Sequence, residues 1–175
     1  MRKIIIFTFL VLTFICSCSG KSETAVDWFN KSRQLWDGKK YTNPQKALEY
    51  LNNAIKLQPN NNETYNNRGT AYYNLGQYQM AIEDFNKAIS LKQDNDKAYN
   101  NRGTAYFNLG QYPPAIEDFN RAISLKKDFV DAYNNRGVVY LIYGNKKLGC
   151  RDVRKACELG NCKILEEAKG KGLCR

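Results

Sequence analysis

A period of 34 residues governs the middle of this chain. "YNNRGTAYYNLGQY" begins at Tyr65, "YNNRGTAYFNLGQY" at Tyr99 and "YNNRGVVYLIYGN" at Tyr133. A repeat of that length is one supersecondary unit that buries its apolar face only against neighbouring copies, and about three copies are needed for a continuous core. In the copy from Tyr99, the residues Tyr99, Gly103, Tyr106 and Gly110 recur at i, i+4, i+7 and i+11, the stripe of an amphipathic helix. "LGQY" then turns the chain, and Ala115, Ile116, Phe119, Ala122 and Ile123 mark a second helix. Pro113 and Pro114 stand at its start, where a missing N–H costs little.

Two such helices in a 34-residue period resemble the tetratricopeptide repeat. The second copy supplies the family's aromatic, glycine, tyrosine, alanine, phenylalanine and alanine as Tyr65, Gly69, Tyr72, Ala81, Phe85 and Ala88. The third supplies Tyr99, Gly103, Tyr106, Ala115, Phe119 and Ala122. An earlier copy carries Trp28, Ser32 and Leu35, then a longer turn around Thr42–Pro44, then Ala47, Leu51, Ala54 and Pro59. The last keeps Tyr133, Gly137, Tyr140 and Ala156 but has Gly149 and Val153 in place of alanine and phenylalanine. The resemblance implies an all-α fold, a right-handed α-solenoid of about four hairpins (25–61, 62–95, 96–129 and 130–163) closed by a C-terminal capping helix and basic tail over 164–175.

Two departures stand out. The family's leucine is Arg68, Arg102 and Arg136, so a guanidinium lies where an apolar side chain normally packs. Its stem can cover the neighbouring helix while its head stacks or finds an acceptor, as a structural or a partly groove-facing residue. The second is the asparagine pair in every copy, although asparagine is a poor helix former. Asn101, Thr104 and Asn108 fall at i, i+3 and i+7, and Asn67, Thr70 and Asn74 repeat that polar stripe. In the family these positions face the concave groove, and a carboxamide matches both polar groups of a peptide bond. Asn30, Asn67, Asn101 and Asn135 would then form a ladder that holds an extended peptide by its backbone. Duplication of a solvated residue is the alternative. Asn66, Asn100 and Asn134 are expected on the rim. The stripe carries amides, hydroxyls and aromatics but no lysine or arginine, which argues against a carboxylate clamp. The fourth copy has Val138, Leu141 and Ile142 on this face, so that end of the groove reads as apolar.

The amino terminus is a separate matter. Arg2 and Lys3 precede an apolar run from Ile4 to Ile15, too short to span a bilayer, which reads as the core of a signal peptide. Ile15-Cys16-Ser17-Cys18 follows and resembles the bacterial lipobox. That resemblance implies a leader over 1–17, a lipid on Cys18, and a polar tether over 18–24. It also implies a membrane-anchored exported protein, with an outer membrane favoured by Ser19.

After Leu148 the pattern changes to "LGCRDVRKACELGNCKILEEAKGKGLCR". The segment "KACELGN" resembles the ends of cysteine-rich Sel1-like repeats. An exported location permits disulfides. Cys150 and Cys157 lie seven residues apart on one expected helix, ~10 Å by the rise per residue, too far to bond each other. An antiparallel cap helix brings Cys157 to Cys162 and Cys150 to Cys174. The chain's net charge is +10, and residues 146–175 carry nine Lys/Arg against four Asp/Glu. A basic tail suits anionic lipid or nucleic acid, but lipoprotein export argues against nucleic acid.

The chain has no histidine, which excludes Ser-His-Asp and Cys-His pairs, and it has neither CxxC spacing nor a glycine-rich phosphate loop. The acids of Glu83-Asp84 and Glu117-Asp118 read as solvated. No catalytic, metal or cofactor site is expected. The sequence therefore reads as a non-enzymatic scaffold that binds an extended segment of another envelope protein. A surface glycan-binding lipoprotein, with groove tyrosines stacking on sugar rings, is the rival.

Overall fold

The computed structural model describes residues 22–174, so the leader, Cys18 and most of the tether lie outside the described residues. Among the described residues there are nine α-helices and a single isolated bridge, Trp36 to Tyr41. They form four hairpins: α1 (Ala25–Arg33) with α2 (Pro44–Leu57), α3 (Asn62–Asn74) with α4 (Tyr78–Leu91), α5 (Asp96–Asn108) with α6 (Tyr112–Leu125), and α7 (Val130–Ile142) with α8 (Lys146–Glu158). The short α9 (Lys163–Gly170) packs on α8 and closes the array. The fold is an all-α helical repeat solenoid in which each hairpin packs on the next.

Short polar side chains start these helices. The carboxamide oxygens of Asn43, Asn61, Asn95 and Asn145 accept the backbone N–H of Lys46, Thr64, Ala98 and Leu148, satisfying donors that a helix cannot satisfy itself. At α1 a capping box joins Thr24 to Asp27. Within the second and third hairpins the turn needs a left-handed residue, which Gly76 and Gly110 provide at φ 73° and 71°.

The glycine and phenylalanine of the repeat are one device. A Cβ at Gly103 would lie 2.9 Å from the Phe119 ring, so glycine lets the two helices of the hairpin approach over that ring. Gly69 stands against Phe85 in the same way. The fourth hairpin keeps the device with other residues: Val153 meets Gly137, and Leu141 presses so close to position 149 that only glycine fits there.

The first hairpin differs from expectation. The longer turn runs from Gln34 to Asn43 rather than around Thr42–Pro44, and Leu35 falls just past α1. The cause is local. Trp36 and Tyr41 pair across the turn with rings 5.2 Å apart, and the Asp37 carboxylate accepts the N–H groups of Lys39 and Lys40. Tyr41 is buried against Ala47, Leu51 and Ala71.

At the other end, Cys150, Val153, Leu165, Ala168 and Cys174 make one apolar cluster. Cys150 bonds Cys174 with Cα atoms 5.5 Å apart, and Cys157 bonds Cys162.

Candidate functional site

The first helices α1, α3 and α5 line a groove of about 850 Å³, with α7 continuing the same wall. Of the residues expected there, Asn67, Thr70, Asn74, Asn101 and Thr104 line it, while Asn30, Asn108 and Asn135 do not. Asn30 is exposed on α1. The other two spend their amides on Tyr73, Thr104 and Asn100, which do line it.

The amide stripe is largely tied into the scaffold. Asn101 Nδ2 donates to Asn66 Oδ1 at 3.1 Å, one repeat back, and Asn135 Nδ2 donates to Asn100 Oδ1 at 3.1 Å. Asn135 also reaches the Thr104 hydroxyl. Asn108 donates to the Tyr73 hydroxyl and to the Thr104 carbonyl, and Asn74 accepts the Tyr41 N–H at 2.9 Å. Thr70 and Thr104 donate back to the carbonyls of Asn66 and Asn100. The expectation that Asn66, Asn100 and Asn134 sit on the rim is therefore corrected. Asn66, half-buried, and Asn100, buried, accept from the second asparagine of the following copy, and Asn134 is buried as well. The relay ends where the copies end: Asn134 Oδ1 is buried without a donor.

Asn67 escapes this pattern. The residue one repeat before Asn66 is Phe29, which offers no acceptor, and Asn67 makes no side-chain hydrogen bond within the described residues. Of the expected ladder, Asn67 is the amide left facing the groove with its donors and acceptor unspent.

The arginines are structural. Arg102 grips Asp118 through Nε and Nη2 at 2.8 and 2.7 Å, and its Nη1 reaches Asn86 of the preceding hairpin at 2.6 Å. Arg68 binds Asp84 and Asn52, and Arg136 binds Asp152 and Asn120, in the same three-way arrangement. Each guanidinium thus joins its own hairpin to the one before it. The hydrogen bonds of Asp84 hold the Arg68 guanidinium above its usual range, opposing burial. Asp84 and Asp118, expected in solvent, are buried beneath these arginines, whereas their neighbours Glu83 and Glu117 are exposed. In the first hairpin Lys31 holds the corresponding place, with its ammonium 4.5 Å over the Trp28 ring and paired to Glu23.

The groove wall also carries charge that the stripe did not reveal. Arg33 and Lys39 line it at the first hairpin, and Lys92 and Lys97 line it between the second and third. Glu63, Asp96 and Asp131 lie at the opposing helix starts. The inference from the stripe that the groove lacks cations is corrected: Lys39 and Lys92 come from turns and Lys97 from a helix start, while Arg33, three residues after Asn30 on α1, holds the stripe position that Thr70 and Thr104 take in later copies. Tyr73, also on the wall, has its hydroxyl pKa raised by burial, against the lowering effect of Asn108. Among the described residues no cluster of metal-ligating side chains occurs.

Known proteins bear out this architecture. Family profiles match as "TPR repeat" over residues 69–110 and 103–142, and as "Tetratricopeptide repeat" over residues 50–83. No curated protein matches the chain along its sequence. The crystal structure of MamA is 28% identical, covers 84% of this chain and 81% of its own, and superposes with a TM-score of 0.69. The Arabidopsis OM64 TPR domain is 30% identical over 66% of this chain and 93% of that domain, with a TM-score of 0.63. The first TPR of Spaghetti (RPAP3), solved bound to the HSP90 peptide SRMEEVD, shares the fold at 24% identity, 69% and 93% coverage, and a TM-score of 0.64. The profiles together span more than half of the 175 residues, and with the repeat geometry they assign the chain to the tetratricopeptide repeat family.

Proposed function

We propose that this chain is a non-enzymatic scaffold that binds an extended segment of another protein in its concave groove. The observation that carries the reading is the groove itself: about 850 Å³, open along three helices, lined by the unspent amide of Asn67 and by Lys97 and Arg33. Such a wall offers peptide-backbone partners and flanking charges without an arrangement suited to bond-making chemistry. The Spaghetti domain, which shares the fold, is bound to an HSP90 peptide.

The setting we propose is a bacterial envelope, with Cys18 lipidated and the solenoid held at the membrane as an assembly factor. Support for this comes from the leader and the lipobox-like Ile15-Cys16-Ser17-Cys18. Mass spectrometry of membrane-extracted protein should show Cys18→Ala losing all acyl mass while Cys16→Ala keeps it. Acylation that survives Cys18→Ala would remove the anchor.

Partner capture is tested by a photo-crosslinking residue placed at position 67 in the full chain and activated in intact cells. Position 117, on the outer helix α6, serves as the control. A discrete protein adduct at 67 and none at 117 is the expected result. Polysaccharide at 67 would establish glycan binding instead, and equal capture at both positions would discard the groove.

A further inference from the structure

The residues at equivalent positions of the first helices change character from α3 to α7. Copies two to four share "YNNRG". Yet at two positions that line the groove as Thr70 and Asn74, the third copy has Thr104 and Asn108, and the fourth has Val138 and Ile142 on α7, just beyond the residues that line it. Ile142 is 56% exposed and the adjoining Tyr143 60% exposed. Part of this exchange has an internal cause: Asn108 donates to the Tyr73 hydroxyl, and the corresponding partner of residue 142 is Phe107, which has no hydroxyl. Loss of that partner explains why asparagine is dispensable there. It does not explain an isoleucine that stays more than half exposed, since a polar residue would be better solvated. The first-hairpin end is the opposite. Arg33 and Lys39 line the groove there, and neither has a carboxylate partner among the described residues.

We infer that the groove selects a segment of directional chemistry, with acidic side chains over Arg33 and Lys39 and aliphatic or aromatic ones over Val138 and Ile142. The inference rests on the groove-binding reading above and specifies its partner. Charge complementarity fixes the first end, and burial of Ile142 against an apolar side chain fixes the second. The geometry sets the spacing. Three steps between neighbouring first helices, each roughly 8–10 Å, are covered by an extended chain at roughly 3.3 Å per residue. The acidic and apolar groups should therefore stand roughly seven to nine residues apart along the segment.

The test is selection of a displayed library of random 14-residue peptides on the immobilised full chain. The same selection is run on Val138→Thr/Ile142→Asn, which restores the residues of the other copies, and on Arg33→Glu/Lys39→Glu. Expected winners pair Asp or Glu with Leu, Ile, Phe or Met at the stated spacing. On the first variant the apolar preference should fall at least tenfold with the acidic preference kept, and on the second the reverse. Ile142→Asn alone provides the same reading if the double change disturbs folding, because that side chain is largely in water. Winners without a fixed acidic-to-apolar spacing, or preferences unchanged on the variants, overturn the inference. Failure of the groove reading itself looks different: the winners would bind Asn67→Trp, whose groove is blocked, as well as they bind the parent.

Discussion

Arg102 and Asp118 face each other across the third hairpin through two parallel hydrogen bonds, 2.8 and 2.7 Å long, with the carboxylate side chain only 6% exposed. The family's leucine would fill this space with methyl groups, whereas the arginine also reaches Asn86 on the hairpin before. A repeat array holds together only through contacts between neighbouring units. The guanidinium therefore adds a directional bond at each step where an apolar side chain would supply contact alone.

Removing one partner should hurt far more than removing both. Asp118→Ala strands a guanidinium that is mostly out of water, and should lower stability by about 3 kcal/mol. The double change Arg102→Leu/Asp118→Leu should recover most of that loss, because the apolar pair carries no desolvated charge. Urea unfolding of the two variants checks this. A double variant at least as unstable as Asp118→Ala would show that the pair is not the coupled unit described.

The asparagines divide into two groups that respond in opposite ways. Asn101→Ala and Asn135→Ala each break a bond between repeats and leave Asn66 or Asn100 without its donor. Each should lower stability by about 1–2 kcal/mol. Asn67→Ala removes no internal bond and replaces a poor helix former with a good one, so stability should hold or rise slightly. Binding should follow the reverse order, with Asn67→Ala weakening capture of the segment and Asn101→Ala leaving it intact per folded molecule. One melting curve and one binding curve on each variant decide the matter. A destabilised Asn67→Ala would place that amide in the scaffold as well.

What the sequence disclosed follows from which interactions are periodic. The 34-residue spacing and the glycine–phenylalanine device recur within each copy, so helix pairing and core positions can be read one copy at a time. The arginine clamp is periodic too, but its partners lie 16 residues away on either side, on two different hairpins. A helical wheel drawn for one helix therefore shows a charge without a partner, and it shows Asp118 as a solvated acid. The asparagine relay was hidden in the same way, because donor and acceptor stand 35 residues apart. The groove cations were missed for another reason: Lys39 reaches the wall through the long first turn, which departs from the repeat, and Arg33 stands on α1 where the later copies carry Thr70 and Thr104.

The two disulfides should differ in what they contribute. Cys150–Cys174 closes a separation of 24 residues and ties the chain end onto α8, while Cys157–Cys162 closes only 5. Constraint of the unfolded chain grows with loop length, giving about 3 kcal/mol for the first and about 2 kcal/mol for the second. Cys150 and Cys174 also sit inside the apolar cluster under α9, so losing that bond loosens the cap. Cys150→Ala/Cys174→Ala should melt lower than Cys157→Ala/Cys162→Ala, with faster amide exchange in α9. The reverse order would place the stabilisation in the local turn.

Tyr41 makes the first hairpin sensitive to alkali. Burial pushes its hydroxyl pKa up to about 12 from the ordinary 10.0, opposed by a hydrogen bond with Ser32 and the charge of Arg33. A hydroxyl whose folded pKa exceeds its unfolded value contributes stability that is complete below the unfolded value. That stability is lost as pH rises through the folded one. Between pH 10 and pH 12 the protein should therefore lose up to about 2 kcal/mol at this residue, because the unfolded chain releases the proton first. The effect should centre on the turn from Gln34 to Asn43, where Tyr41 packs on Trp36 and its N–H is held by Asn74. Tyr41→Phe keeps the ring and removes the titrating group. Its stability should fall less steeply across that window than the parent's, with all other tyrosines in common. Parallel slopes for parent and variant in urea unfolding from pH 9 to 12 would mean that Tyr41 ionises as freely in the folded chain as in the unfolded one.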